Sequence, residues 1–331
     1  MSFEGDKVNK NQIESKYGVL IVNLGTPDKF NYWPVRRFLN QFLLDNRVVE
    51  IPKLIWWPIL QLVLLLRTFK TKKLYESIWI EKGSPLMVFS KGLLEKLKAT
   101  GLENVEYELA MRYGNPSIEN GLKNLRKKDC NKIVIIPLFP QYAASTSASI
   151  FDEVSRIISK WRWVPSLNFV NSYHNEEKYI SALSDSIKTK ISIHKPQKII
   201  FSFHGIPKRS VIKGDPYPLY CEETINLVAK NLELSDDEYL LTFQSRFGYA
   251  EWLKPYTSDV MEELPNKGIK DILVIAPGFS SDCLETIEEI DEENKEIFME
   301  AGGEKFEYVE CLNDSDSHVN LIQEIISKEI R

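Results

Sequence analysis

His204 ends an apolar run, Ile199-Ile200-Phe201-Ser202-Phe203, and is followed at once by Gly205-Ile206-Pro207. Such a run reads as a buried strand, and a glycine straight after it lets the backbone turn sharply. An imidazole at that strand end can take up a proton near neutral pH or ligate a metal ion, its reference pKa being about 6.5. Most lone histidines are structural. His174 in a polar loop, His194 before Lys195-Pro196 and His318 in an acidic turn all suit that reading. The second feature is Asp282–Glu296, in which eight of fifteen residues are acidic. Glu285, Glu289 and Glu293 recur every four residues and so share one α-helical face, beside a buried stripe of Leu284, Ile287 and Ile290. Charge runs are usually solvated surface, and Glu292, Glu293 and Glu296 are read that way. Glu285, however, opens the helix just after a strand end, with Glu289 one turn deeper behind it. Stacked carboxylates disfavour joint ionisation, so at least one pKa of the pair rises and the pair can take up protons.

Short β-branched runs and amphipathic stretches alternate around these residues. Strands are predicted over Val19–Leu24, Val105–Met111, Lys132–Phe139, Lys198–His204, Tyr239–Gln244 and Ile269–Pro277. Helices are predicted over Ser90–Ala99, Ile150–Lys160, Lys178–Lys190, Cys221–Asn231 and Cys283–Phe298. That alternation implies parallel sheets with right-handed crossovers. Three landmarks occur in the same order in both halves: Gly25-Thr26-Pro27 and Gly205-Ile206-Pro207, Arg112-Tyr113-Gly114 and Arg246-Phe247-Gly248, Pro137-Leu138-Phe139 and Pro277-Gly278-Phe279. Two similar α/β lobes are therefore expected. Open parallel sheets bind ligands outside the carboxyl ends of their strands, where all these landmarks sit, so both sets of strand-end loops are expected to serve one cleft.

The chain has 331 residues and a formal net charge of −5, with no basic tail or stripe, which argues against a nucleic-acid partner. Cys130, Cys221, Cys283 and Cys311 are widely spaced without a CxxC pair, as in a reduced cytoplasmic protein. Residues 1–16 lack the apolar core of a signal peptide and are expected to be a disordered tail. Residues 17–168 are assigned to lobe one, with an insertion at about 28–85, and 169–312 to lobe two. A C-terminal helix, 313–331, is expected to join lobe one. The insertion holds the most apolar stretch, Ile51–Arg67, which contains Trp56, Trp57 and Leu64. Pro52 and Pro58 interrupt it, leaving it short of the roughly 20 apolar residues needed to span a bilayer. It reads either as a lip in the membrane interface or as a core or dimer-interface helix. Either way, an apolar lip suits a flat, greasy ligand.

No GxGxxG or GxxxxGK[ST] phosphate loop is present, and Ser145-Thr146-Ser147 lacks the GxSxG context of a hydrolase nucleophile. Those hydroxyls are either a helix N-cap cluster or cleft-lining groups in the position that Glu285 takes in lobe two.

The long run Ile199–Pro207 with Gly214-Asp215-Pro216-Tyr217 resembles the ferrochelatase signature, and Phe279–Thr286 resembles that family's second active-site motif. Asn23–Pro27, Arg112–Pro116 and Phe139–Tyr142 with Ser145-Thr146 agree, so the resemblance covers roughly residues 17 to 327. It implies two Rossmann-like lobes, each a parallel four-stranded sheet flanked by helices, in a lyase-class metal chelatase. The implied reaction inserts Fe2+ into protoporphyrin IX, giving protohaem and two protons, the last step of haem biosynthesis. It further implies that His204 and Glu285 are catalytic and metal-facing and that Glu289 continues the carboxylate row on a helix with a π-turn. By the same resemblance Leu24, Arg112, Tyr113, Ser145, Thr146, Trp252 and Phe279 line the porphyrin pocket. The Leu54–Leu66 segment matches a lip on the inner face of the cytoplasmic membrane. Cys283 stands where animal members have a histidine, so that residue's proton role does not carry over. Ala144 stands where cluster-bearing members have a cysteine, and the cysteine-rich C-terminal extension is absent. No iron–sulfur cluster or tightly bound cofactor is expected, Fe2+ being a substrate, and the chain is expected to be a monomer or weak dimer.

The chemistry is consistent with those groups. Two pyrrole protons must leave and water must be stripped from the ion. An imidazole can accept a proton, and nitrogen and oxygen ligands hold Fe2+ exchangeably. A tight apolar cleft can hold the macrocycle off-planar. His204 and the glutamate row can divide deprotonation and metal delivery either way. Rival readings are a coproporphyrin or sirohydrochlorin chelatase, or a non-catalytic haem- or metal-binding module, the last having no need of a histidine opposite a carboxylate row.

Overall fold

The computed structural model describes residues 3–5, 16–193, 195–248 and 250–330. The described chain forms two compact units, one running to Ser172 and including Val319 onward, the other Tyr173–His318.

In unit one, β1 (Tyr17–Thr26) leads to helices α1 (Tyr32–Leu43), α2 (Lys53–Ser77) and α3 (Pro85–Thr100). Then come β2 (Val105–Gly114), α4 (Ile118–Lys127), β3 (Lys132–Pro137), a π-helical turn Ala144–Ala148, α5 (Ser149–Ile158) and β4 (Ser166–Phe169). The strands lie in the order β2-β1-β3-β4, all parallel. The central strand β1 is almost continuously apolar because helices cover both its faces, and Leu20, Val22, Ile133 and Ile135 pack against Leu122, Leu125, Ile150 and Val154.

Unit two repeats the plan with α6 (Glu177–Ile193), β5 (Lys198–His204), α7 (Lys208–Ile212), α8 (Tyr217–Leu232), β6 (Tyr239–Gln244), α9 (Thr257–Asn266) and β7 (Asp271–Ile275). It closes with α10 (Leu284–Thr286), a π-helical segment Ile287–Asn294, α11 (Lys295–Glu300) and β8 (Lys305–Val309), in the parallel order β6-β5-β7-β8. The C-terminal helix α12 (Asp316–Glu329) returns to unit one, where the Gln323 side-chain amide donates to the Thr100 carbonyl at 2.8 Å. Strands β4 and β8 have no continuous apolar run. They are short edge strands, which is why sequence pattern alone misses them.

The repeat is real, but its register differs from the landmark pairing. Asn23 stands opposite Met111 on β1–β2, and Phe203 stands opposite Phe243 on β5–β6. Met111 N–H donates to the Pro116 carbonyl at 2.6 Å, and Phe243 N–H to the Pro255 carbonyl at 2.8 Å, both prolines following cis bonds. Arg112 and Tyr113 therefore correspond to Gln244 and Ser245, not to Arg246 and Phe247, which lie beyond β6. Leu24 corresponds to His204.

Three further expectations are corrected. Phe3–Gly5 is not free chain: Glu4 bridges to Trp161, its N–H donating to the Lys160 carbonyl and its own carbonyl accepting from Arg162 N–H. The remainder of the expected disordered tail up to Ser15 lies outside the described residues. The apolar stretch is not broken by Pro58: α2 runs 25 residues straight through it. Pro58 sits near the start of the helix, and the Leu54 carbonyl it leaves without a donor belongs to a residue that is 94% exposed, where water can serve. Among the described residues α2 is also the one helix long and apolar enough to cross a membrane. Leu64, grouped above with the lip, is instead fully buried, in a stripe with Leu60, Thr68, Thr71 and Tyr75. Bonds from Trp56 Nε1 to the Leu43 carbonyl (2.7 Å) and from Gln61 Nε2 to Asn40 Oδ1 (2.8 Å) tie this face to α1.

Gly25 marks a close crossing of main chains. Its φ is +111°, and a Cβ there would lie 1.8 Å from the Tyr113 carbonyl oxygen. Gly25→Ala is expected to destabilise the protein by at least about 2 kcal/mol in urea unfolding, since both strain and displacement of β2 oppose it. A midpoint unchanged from the parent would contradict this crossing.

Candidate active site

His204 is the last residue of β5, and its Nδ1 lies 2.7 Å from the Gly205 carbonyl oxygen. A carbonyl can only accept, so Nδ1 carries the hydrogen and Nε2 is the basic nitrogen. The rings of Trp252 and Phe279 flank the imidazole, each with its centroid 6.3 Å away. Gly205 is held by its N–H on the Gln244 carbonyl at 2.8 Å, and a Cβ on it would press on the Trp252 ring at 3.1 Å. The glycine after the histidine therefore serves both the turn and the seating of Trp252.

The acidic helix differs from an ideal α-helix. Only Leu284–Thr286 is α-helical before the π-helical segment begins, so the four-residue row of Glu285, Glu289 and Glu293 is not a straight stripe. The buried residues are Thr286, Ile290, Asn294 and Phe298, rather than Leu284 and Ile287. Glu292, Glu293 and Glu296 are exposed.

Glu289 is drawn inward. Its Oε1 accepts from Ser245 N–H at 2.6 Å, and its Oε2 from Ser245 Oγ at 2.5 Å and Gln244 Nε2 at 3.2 Å. Burial pushes its pKa above the ordinary carboxylate value. The Ser245 and Gln244 hydrogen bonds and the nearby His204 pull it down, and the Glu285 charge adds a smaller push up. The stacked-carboxylate effect is thus present but secondary to desolvation. Cys283 is buried and caps α10, exchanging hydrogen bonds with Thr286 in a capping box. Asp282 takes Thr286 Oγ1, Tyr308 OH and Asn313 Nδ2, fixing the loop that leads into Glu285.

In unit one the corresponding strand end carries a separate network. Arg112 Nη2 and Tyr113 OH reach Asp45 Oδ2 at 2.5 and 2.8 Å, and Ser149 Oγ reaches the same oxygen at 2.6 Å. Arg112 Nε also donates to Ser149 Oγ at 2.6 Å. Although burial pushes the Asp45 carboxyl up, bonds from Ser149 and the Arg47 amide and the Arg112 charge outweigh it and hold the pKa low. Tyr113 is only 2% exposed, and burial raises its phenol pKa. Leu24, Ser145 and Thr146 are partly exposed near the strand ends. Ser145 and Thr146 do not cap a helix: Ala143 occupies the cap position, and both lie within the π-helical turn.

Asp45, Gln244 and Ser245 were not singled out by sequence. Gln244 and Ser245 emerge only from the β1–β2 and β5–β6 registers, which align them with the recognised Arg112 and Tyr113, and Asp45 left no signal in the sequence. The other described histidines are structural. His174 Nε2 is bonded to Glu223 at 2.8 Å and its ring stacks on Tyr220, and His318 is buried with Nδ1 on the Asn313 carbonyl, its pKa lowered to about 4 by burial. His194 lies outside the described residues. Among the described residues no group of three or more His, Cys, Asp or Glu could hold a metal ion.

Two parallel four-stranded α/β units, with a strand-end histidine beside a carboxylate on a π-helical segment, place the chain in the chelatase class of folds. SirB from Bacillus subtilis with Fe3+ has the same fold at a TM-score of 0.59 and 15% identity, covering 95% of each chain. The ferrochelatase family profile matches residues 16–330. Ferrochelatase 2 of Shewanella oneidensis is 49% identical over 94% of this chain and 97% of its own length. The ferrochelatase of Thioalkalivibrio sulfidiphilus is 44% identical over 100% and 91%. The chain belongs to the ferrochelatase family and is an enzyme of the metal-chelatase kind.

The raised Glu289 pKa has a stability consequence. A carboxyl whose folded pKa exceeds its unfolded value favours the fold below the unfolded pKa, and that contribution is lost as pH rises through the folded value. Glu289→Gln should remove the slope, so the parent is expected to lose stability relative to the variant as pH rises above the ordinary glutamate value of about 4.3. Parallel pH profiles in thermal melts would show the carboxyl to be unperturbed.

Proposed function

We propose that this protein inserts Fe2+ into protoporphyrin IX, giving protohaem and two protons, the last step of haem biosynthesis. The observation that carries the reading is the fixed tautomer of His204. Its Nδ1–H is committed to the Gly205 carbonyl, so Nε2 has the lone pair needed to take a pyrrole proton. The rings of Trp252 and Phe279, each 6.3 Å from the imidazole, suit a flat aromatic macrocycle. Glu285 and Glu289 supply carboxylate oxygens that can accept a second proton or pass a hydrated ion. A pair of glutamates and one imidazole is a weak trap for a metal, which fits a site that hands the ion on to four porphyrin nitrogens. Leu24, Ser145 and Thr146 are proposed to touch the porphyrin. Arg112 and Tyr113, both held by Asp45, are proposed to shape that side of its pocket.

The enzyme needs no iron–sulfur cluster in this reading, its four cysteines being widely spaced and without a CxxC pair. Protoporphyrin is favoured over the more polar coproporphyrin or a sirohydrochlorin by the outer face of α2. There Leu54, Leu62, Leu66 and Phe69 are exposed, Leu66 by 81%. That face also supports peripheral attachment to the cytoplasmic membrane, with the enzyme body in the cytoplasm.

His204→Ala is expected to lower steady-state Fe2+ or Zn2+ insertion by a factor of about 100 or more while porphyrin binding persists. Near-normal turnover by the purified variant would refute the base assignment, and faster turnover of coproporphyrin in a competition assay would move the substrate. Replacing Trp57, Leu62 and Leu66 together by Ser is expected to reduce co-sedimentation with anionic vesicles several-fold, and unchanged co-sedimentation would remove the membrane role.

A further inference from the structure

We infer that Gln244 and Ser245, at the end of β6, are positioning residues that set the Glu289 carboxylate against the His204 turn; the inference rests on the metal-insertion reading above. Ser245 is a non-glycine residue at φ +64°, a left-handed conformation tolerated only when the surroundings require it. What that backbone achieves is a two-point grip: the Ser245 N–H and hydroxyl bond opposite oxygens of one carboxylate, at 2.6 and 2.5 Å.

Gln244 is 3% exposed, and its side chain is used at both ends. Its Oε1 accepts from Ser202 Oγ at 2.9 Å, and Ser202 Oγ lies 2.9 Å from the buried hydroxyl of Thr257, which in turn bonds the Thr242 hydroxyl. Two acceptors at the other end, a main-chain carbonyl and a carboxylate, fix which way the amide points. Its Nε2 donates to the main-chain carbonyl of Glu285 at 2.6 Å and to the Glu289 carboxylate at 3.2 Å. Its own main-chain carbonyl accepts the Gly205 N–H, and it pairs with His204 across the strands. One buried residue therefore touches the turn that orients the imidazole and the helix that carries both glutamates. From the other side Asn294, also 3% exposed, donates through Nδ2 to the Glu289 carbonyl at 2.5 Å, spanning one turn of the π-helical segment. Glu289 is held at both its carboxylate and its main chain, whereas Glu285 is gripped by Gln244 only through its main-chain carbonyl.

Unit one supplies an independent parallel. The residues in register with Gln244 and Ser245 are Arg112 and Tyr113, and they bond Ser149, the first residue beyond the π-helical turn there. The end of the second strand clamps the π-bearing helix in both halves of the chain, but only in unit two is the clamped side chain a carboxylate.

The test uses the full chain with Zn2+ and protoporphyrin IX, read by fluorescence. Ser245→Gly keeps the left-handed backbone and the N–H but loses the hydroxyl. It should lower kcat at least tenfold and raise KM for Zn2+ several-fold, with KM for porphyrin within twofold. Gln244→Met should act the same way, and Ser245→Gly should add less than twofold to Glu289→Gln. Kinetics of Ser245→Gly within twofold of an active parent, or full additivity with Glu289→Gln, would overturn the positioning role alone. An inactive parent would overturn it together with the metal-insertion reading. Ser245→Gly remains decisive if Gln244→Met fails to fold.

Discussion

A carboxylate removed from water must be given donors or give up its charge. Glu289 illustrates both halves of that rule: burial raises its pKa, and Ser245 and Gln244 return part of the lost solvation. Much else in unit two follows from meeting that requirement. β6 is followed by a left-handed residue that aims two donors, Ser202, Thr257 and Thr242 form a buried hydroxyl chain behind one amide, and the helix departs from α geometry where the glutamate sits. Thr286, Tyr308 and Asn313 donate to Asp282 nearby for the same reason, and they fix where the helix begins.

His204 is controlled differently. Its ring is oriented by a single bond to the next carbonyl, which decides which nitrogen is basic without adding a charge beside it. A carboxylate in that place would favour the imidazolium and make the nitrogen a poorer proton acceptor. The imidazole thus has a neutral partner on one nitrogen and aromatic rings near it, while the carboxylates sit on the neighbouring helix.

The alternation of strands and helices and the duplication were legible because they depend on local apolar pattern, while His204 and Glu285 drew attention as residue types next to strand ends. What could not be read locally depends on register and on pairs distant in sequence. The Arg246 landmark resembled Arg112 in spelling, but strand pairing puts Gln244 in that place, two residues earlier. Asp45 gave no local signal, since its partners Arg112 and Ser149 lie far along the chain. The π-helical segment came from family resemblance and not from periodicity, because a shift from four to five residues per hydrogen bond is too small to see in eight residues. The apolar stretch was judged broken by Pro58, yet near a helix start the missing N–H costs little when the orphaned carbonyl faces water.

The two halves keep one framework and differ in the residue that the second-strand end meets on the π-bearing helix, Ser149 in one and Glu289 in the other. In the first half the acid that meets the strand-end pair, Asp45, comes from the segment between β1 and β2. An ancestor with two interchangeable halves would have been free to specialise them: one copy could recruit a borrowed charge from an inserted segment and keep its helix neutral, while its sibling placed the charge on the helix itself. Asymmetry of this sort leaves matching helices of a repeated scaffold with unequal charge, so the chemistry of one half need not be that of the other.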